Sequence, residues 1–169
     1  KIEDNIKSYP DFPKKGVLFR DVLSVLDKPD IFKEIINCMS DFSLVKNSDA
    51  IIAIDARGFI FGSAVSLHLG KPIIFARKPG KLPGNLISYS YELEYGKNTL
   101  CLQEDVLKKH DNFCIIDDLL ATGGTVSSIE KMLSENKKKI TGTAVVIELT
   151  FLNGRSALEN PVESILKYS

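Results

Sequence analysis

Apolar positions along the chain recur with two alternating periods. From Lys28 to Phe42, KPDIFKEIINCMSDF sets Ile31, Phe32, Ile35, Ile36 and Met39 three and four residues apart. Pro29 stands where a first helical turn accepts it, so this segment is predicted as an amphipathic helix. AIIAID, Ala50 to Asp55, is a short apolar run ended by a charge; GFIFGSAVSLHLG then has helical spacing, and PIIFA, Pro72 to Ala76, is apolar again. NFCIID, Asn112 to Asp117, followed by TVSSIEKMLSENKKK and TGTAVVIEL, repeats the order strand, helix, strand. Such alternation predicts an α/β fold with a mostly parallel central sheet flanked by helices. Between the two units, KPGKLPGNLIS (Lys78 to Ser88) carries two prolines and two glycines and is predicted as a long mobile loop. The alternation of SYELEYGKNTLCLQ around Gly96 predicts a hairpin after it. Loops this long inside a compact domain are usually functional.

Bulk properties narrow the choice of function. The 169 residues fit one domain able to bury a sizeable core. Lys plus Arg and Asp plus Glu number 22 each, and zero net charge argues against a broad basic face for nucleic acid. Any bound anion is expected to be small and held locally. Cys38, Cys101 and Cys114 are widely spaced, with only His68 and His110 as imidazoles, which supports neither a disulfide framework nor a zinc site. No apolar run approaches the roughly 20 residues that span a bilayer, and KIEDNIKSYP lacks a signal-type apolar core. A cytoplasmic protein without a membrane partner is expected.

The chemistry concentrates in CIIDDLLATGGT, Cys114 to Thr125. In an open parallel sheet, ligands bind beyond the carboxyl ends of the strands, which is where Asp55, Asp117 and Asp118 are predicted to fall. After Asp118 the chain runs LLATGGT into a helix. Ala121, Thr122, Gly123, Gly124 and Thr125 thus offer backbone N–H groups, flexible glycines and two hydroxyls at a helix N-terminus, a cradle for phosphate. Carboxylates repel phosphate but accept hydrogen bonds from hydroxyls, so the simplest ligand satisfying both parts is a sugar phosphate such as a ribose phosphate. No two glycines are separated by a single residue, which removes the GxGxxG dinucleotide fingerprint, and there is no GxxxxGK[ST].

This stretch resembles the phosphoribosyl pyrophosphate (PRPP) motif of the type I phosphoribosyltransferases. FPKKGVLFRD (Phe12 to Asp21), DARGFIFG (Asp55 to Gly62), RKPGKLPG (Arg77 to Gly84) and YELEYG (Tyr91 to Gly96) extend the resemblance, in the family's order, over nearly the whole chain. The resemblance is to the members that use adenine. It implies the type I phosphoribosyltransferase fold over residues 1–169, with a small N-terminal hood (about 1–25) and a flexible hairpin loop (about 78–100). It implies conversion of adenine and PRPP to AMP and pyrophosphate, with Mg²⁺ bound mainly through substrate oxygens and water. By resemblance, Asp117 and Asp118 take the ribose hydroxyls and residues 121–125 the 5′-phosphate. Asp55, Ala56 and Arg57, with a cis peptide near Asp55 and Ala56, form a pyrophosphate loop together with Arg77, Lys78 and Lys81. Part of that second basic segment reaches a neighbouring subunit in similar enzymes, so a homodimer is expected. Leu18, Phe19 and Arg20 match the adenine hood, and Glu94 and Tyr95 the closing loop. Lys14 and Lys15 depart from the family, which commonly has a second proline in this segment.

Breaking the bond between ribose and pyrophosphate leaves a cation-like carbon and a highly charged leaving group, which the basic side chains would neutralise. Adenine loses a ring proton as it attacks, and Glu94 is the expected acceptor or relay, with Arg57 as the catalytic cation. With Asp117 and Asp118 each taken by a sugar hydroxyl, the pair is not expected to share a proton. Lys137 to Lys139, His68 and His110 are assigned no function. Two other functions remain open at this point: transfer to another nucleobase, and a non-catalytic sensor of PRPP.

Overall fold

The structure, a computed structural model, describes residues 1–93 and 96–169, without the side chain of Leu93. Strands β1 (Lys7–Pro10) and β2 (Leu18–Asp21) pair antiparallel as an N-terminal ribbon. Helices α1 (Pro29–Asp41) and α2 (Ser43–Lys46) lead into β3 (Ala50–Ile54), α3 (Arg57–Leu69) and β4 (Ile73–Ala76). The hairpin β5 (Leu86–Leu93) and β6 (Gly96–Gln103) follows, then α4 (Glu104–Leu107), β7 (Asn112–Leu120), α5 (Gly124–Glu135), β8 (Lys139–Leu149) and β9 (Val162–Tyr168). The predicted helices and strands of both units are present. The expected loop is shorter than predicted, because Leu86 to Ser88 already pair with β6.

The central sheet runs β4-β3-β7-β8-β9, and all of its pairings are parallel. Every residue of β3 is buried, as a strand covered on both faces requires. Its side chains alternate between two cores. Ile51 joins Ile35, Met39, Phe61 and Val65 beneath α1 and α3, whereas Ile52 and Ile54 join Leu102, Val126 and Ile129 beneath α5 and the hairpin. Close packing of α3 on β3 depends on Gly62, where a Cβ would come 2.7 Å from that of Ala53. No helix among the described residues is long and apolar enough to cross a membrane.

Two departures from the sequence expectation matter for the site. Strand β9 is not among the elements that the apolar pattern predicts: it is an edge strand bonded only to β8, and Glu163, Ser164 and Lys167 interrupt its apolar positions. The apolar pattern ends β7 at Asp117, but the strand continues to Leu120, because its ladder with β8 runs on through Leu119 and Leu120. On its other side β3 stops at Ile54. Asp117 and Asp118 therefore lie within a strand, at the step where the neighbouring strand has ended, and not beyond the sheet.

From β3 the chain moves outward to β4 through α3, and from β7 it moves the opposite way to β8 through α5. The strand order thus reverses between β3 and β7. That crevice is where an open parallel sheet accepts ligands.

Candidate active site

Asp55, Asp117 and Asp118 all reach the crevice. One cleft of about 220 Å³ is lined by Asp55, Ala56, Arg57, Lys78, Asp117, Asp118 and Thr125, together with Tyr91 and Asn98 of the hairpin. A second, about 100 Å³, is enclosed by Asp117 and residues 119–126. The two share Asp117 and Thr125, so a molecule with a phosphate at one end and hydroxyls in its middle can occupy both.

The carboxylates differ in their surroundings. Asp118, 3 % exposed, has Arg57 Nε at 3.0 Å from its Oδ2. That nitrogen lies off the direction a hydrogen bond needs, so the buried Oδ2 has a counter-charge but no hydrogen-bond donor. Asp117 lies against the first turn of α3, where a Cβ on Gly58 would come 2.9 Å from its Oδ1, and it accepts a hydrogen bond from the Asp118 N–H at 2.8 Å. Burial, and then the charge of Asp118, push the Asp117 carboxyl well above the usual carboxylate range. Without ligand, Asp117 thus keeps its proton to higher pH, whereas the expectation of no shared proton concerns the pair occupied by sugar hydroxyls. A ribose hydroxyl donating to Asp117 favours its ionised form, so binding ribose 5-phosphate should release a proton and tighten as pH rises towards that raised pKa. Calorimetry in buffers of different ionisation heat measures the release. An unchanged release in Asp117→Asn would assign it to the ligand's phosphate.

Residues 121–125 form the turn that opens α5. Gly123 caps α5 in a left-handed conformation, φ 86°, and no acidic residue occupies the helix's first turn. The first N–H groups of α5 have no helical carbonyl behind them, so they face an incoming anion. Gly123 has a second reason to lack a side chain. A Cβ would stand 2.5 Å from the carbonyl oxygen of Gly154, and a Cβ on Gly154 would in turn strike the carbonyl of Ala121. The turn at 150–157 thus backs the cradle in backbone-to-backbone contact.

That turn is held by a pair that no sequence pattern marks, a buried Glu148 and an exposed Arg155. Arg155 clamps Glu148 at 2.6 and 2.8 Å, and Ser164 of β9 donates to the same carboxylate at 3.0 Å. The Arg155 hydrogen bonds hold Glu148 below its ordinary pKa. Glu130 on α5 similarly accepts the N–H groups of Glu159 and Asn160. Nothing in the spacing of ELTFLNGR or SSIEKM marks these glutamates as buried, since either could be a solvated surface charge.

The remaining basic residues divide. Arg77 lies 3.4 Å from Asp55 Oδ2 and is fixed at the hairpin base by paired backbone bonds with Cys101. Lys78 lines the larger cleft, while Lys81 is exposed on the following loop and lines neither cleft. The Asp55–Ala56 peptide is cis. The expected loop residues Glu94 and Tyr95 lie outside the described residues.

The pleat of β2 separates the three expected hood residues. Leu18 and Arg20 line a cleft of about 560 Å³ whose far wall is Leu149, Phe151, Leu152 and Tyr168. Phe19 lines another with Tyr9, Phe12 and Asp21, its ring edge-on to Phe12 at 5.1 Å. The wall at 149–152, absent from the sequence expectation, gives the first of these clefts an apolar surface for a flat ring. Lys14 and Lys15 lie on a turn closed by the Gly16 N–H donating to Asp11 at 2.8 Å and by a Phe12–Val17 backbone bond.

The family model described as phosphoribosyl transferase domain matches residues 21–167. The chain belongs to the phosphoribosyltransferase family. Among its relatives in that family, an adenine phosphoribosyltransferase of Prochlorococcus marinus (strain AS9601) is 57% identical over 166 residues, covering 98% of both chains. The crystal structure of a phosphoribosyltransferase for adenine from Thermoanaerobacter pseudethanolicus superposes with a TM-score of 0.89 at 38% identity, over 99% of this chain and 98% of that one. The phosphoribosyltransferase for adenine of Saccharomyces cerevisiae, solved with adenine and an imino-altritol bisphosphate, gives 0.85 at 31% identity, over 98% and 96%.

Proposed function

We propose that the protein transfers the phosphoribosyl group of PRPP to adenine, giving AMP and pyrophosphate as a purine-salvage reaction. The observation that carries this reading is the buried carboxylate pair opening directly onto a phosphate cradle at the β3/β7 crevice. Relatives at 57% and 38% identity that carry the name adenine phosphoribosyltransferase supply the acceptor.

In this mechanism the 5′-phosphate occupies residues 121–125 and the ribose hydroxyls bond to Asp117 and Asp118, one of them supplying the donor that Asp118 Oδ2 lacks. Asp55, Ala56, Arg57, Arg77 and Lys78 hold the pyrophosphate. Leu18 and Arg20 line the adenine site, for which the wall at 149–152 is the second face, and Phe19 borders it from the other side of β2. The bond from adenine N9 to the ribose carbon forms as the bond to pyrophosphate breaks. The electron pair leaves with pyrophosphate, and the N9 proton passes to Glu94 with Tyr95 closing beside it. Glu94→Gln should lower turnover by about 10²-fold or more; turnover near that of the unaltered chain would remove the role.

No cluster of three or more His, Cys, Asp or Glu able to cage a metal occurs among the described residues. Asp117 and Asp118 suit an Mg²⁺ carried chiefly by substrate oxygens and water, as that ion prefers. When bound it supplies charge neutralisation at the leaving pyrophosphate. The reading extends to one cytoplasmic domain over 1–169, acting as a homodimer in which Lys81, exposed and outside its own site, reaches the pyrophosphate of the partner.

Pyrophosphate release with adenine, hypoxanthine, guanine, xanthine and orotate tests the function. Release with adenine is expected. Activity confined to another base would overturn the acceptor, and release with none would favour a PRPP sensor.

A further inference from the structure

Tyr91 and Asn98 face each other across the hairpin, Tyr91 in β5 and Asn98 in β6. Asn98 Nδ2 donates to the Tyr91 hydroxyl at 3.1 Å, and that hydroxyl lies 3.1 Å from Thr125 Oγ1. The Tyr91 ring packs on the core beneath α5, and a Cβ on Gly124 would meet it at 3.9 Å. These three side chains therefore join the middle of the hairpin to the start of the phosphate cradle.

An amide nitrogen can only donate, so Asn98 gives its proton to the Tyr91 oxygen. The Tyr91–Thr125 contact suits either hydroxyl as donor. With Tyr91 as donor, the phenol's single proton is satisfied and the Thr125 hydroxyl keeps its own for another partner. Thr125 lines both clefts of the site, where that partner is an anion. A hydroxyl already accepting a hydrogen bond is a stronger donor in turn.

We propose that Tyr91 is a positioning residue for the 5′-phosphate: the chain Asn98, Tyr91, Thr125 aims the Thr125 proton at the ligand and ties the hairpin to the occupied cradle. The proposal rests on the assignment of residues 121–125 to phosphate. In sequence, Tyr91 precedes Glu94 by three residues, so the tether acts on the strand that leads to the proposed proton acceptor.

A mutant cycle over Tyr91→Phe and Asn98→Asp tests it, read as KM for PRPP against KM for adenine and as the Kd of ribose 5-phosphate. Tyr91→Phe keeps the ring and removes the tether. It should raise KM for PRPP and the Kd of ribose 5-phosphate by about 5- to 10-fold, with KM for adenine unchanged. Asn98→Asp reverses the chain, since a carboxylate accepts from Tyr91 and Tyr91 must then take the Thr125 proton away from the phosphate. Its cost should be about 30-fold with Tyr91 present and about 3-fold in the Tyr91→Phe background, where only the added charge acts. Equal costs of Asn98→Asp in both backgrounds, or a Tyr91→Phe enzyme matching the unaltered one, would overturn the proposal. Binding of ribose 5-phosphate by the unaltered chain checks the cradle separately: if it fails, the phosphate assignment falls with it, whereas binding that the variants leave unchanged removes the role of Tyr91 alone.

Discussion

Gly123→Ala is expected to lower kcat/KM for PRPP by about 10²-fold or more, while circular dichroism still reports a folded chain. Two effects combine at this position. The φ of 86° is a conformation that L side chains adopt at a cost of about 1–2 kcal/mol, and the new methyl would stand 2.5 Å from the Gly154 carbonyl oxygen. The Gly154 oxygen belongs to backbone that the Glu148–Arg155 pair holds, so the cradle is the part that moves. Its N–H groups would turn from the phosphate, and a displacement of about 1 Å is enough to cost roughly 10²-fold in an oriented site. Gly124→Ala is the internal comparison, because its methyl meets only the Tyr91 ring at 3.9 Å and its φ is negative. It should cost about 10-fold or less, relying on the same cradle without deforming it. Equal losses in the two variants would refute the steric account.

Arg57→Met should reduce kcat by about 10²- to 10³-fold, the loss typical of removing a preorganised charge from a leaving group. Arg57 opens α3 immediately after the Asp55–Ala56 peptide, half-exposed beside the larger cleft, with one side committed to Asp118. Its removal leaves Asp118 buried without a counter-charge, which should destabilise the fold by about 1–3 kcal/mol, less than a fully buried pair because the guanidinium is partly solvated. Adding Asp118→Asn removes the stranded charge. The double variant should recover much of the melting temperature and none of the activity. Recovery of activity together with stability would mean that Arg57 serves only to neutralise Asp118.

The elements legible in the sequence are those whose two faces differ from each other or from solvent. Lys28–Phe42 shows its stripe, and the wholly apolar β3 can only be an interior strand. Strand β9 carries its apolar residues on an edge, mixed with Glu163, Ser164 and Lys167, and its existence depends on β8 being there to pair with. The end of β7 is hidden for the same reason, since Asp118 and Leu120 belong to the strand only through β8. Within the site, the acids and glycines of DDLLATGG are legible because few other arrangements use them together. The division of Leu18 and Arg20 from Phe19 follows from the period of two in β2, but which face meets residues 149–152 is decided by tertiary placement. Glu148 and Arg155, seven residues apart across a turn, carry no pattern that separates a clamp on a buried carboxylate from two surface charges.

The turn at 150–157 presents one side, through Gly154, to the phosphate cradle, and the other, through Phe151 and Leu152, to the cleft beneath Leu18 and Arg20. One short piece of backbone is thus a party wall between the proposed donor and acceptor sites. The Glu148–Arg155 pair holds that wall from the β8 side, so the spacing between the two proposed sites is set before either substrate arrives.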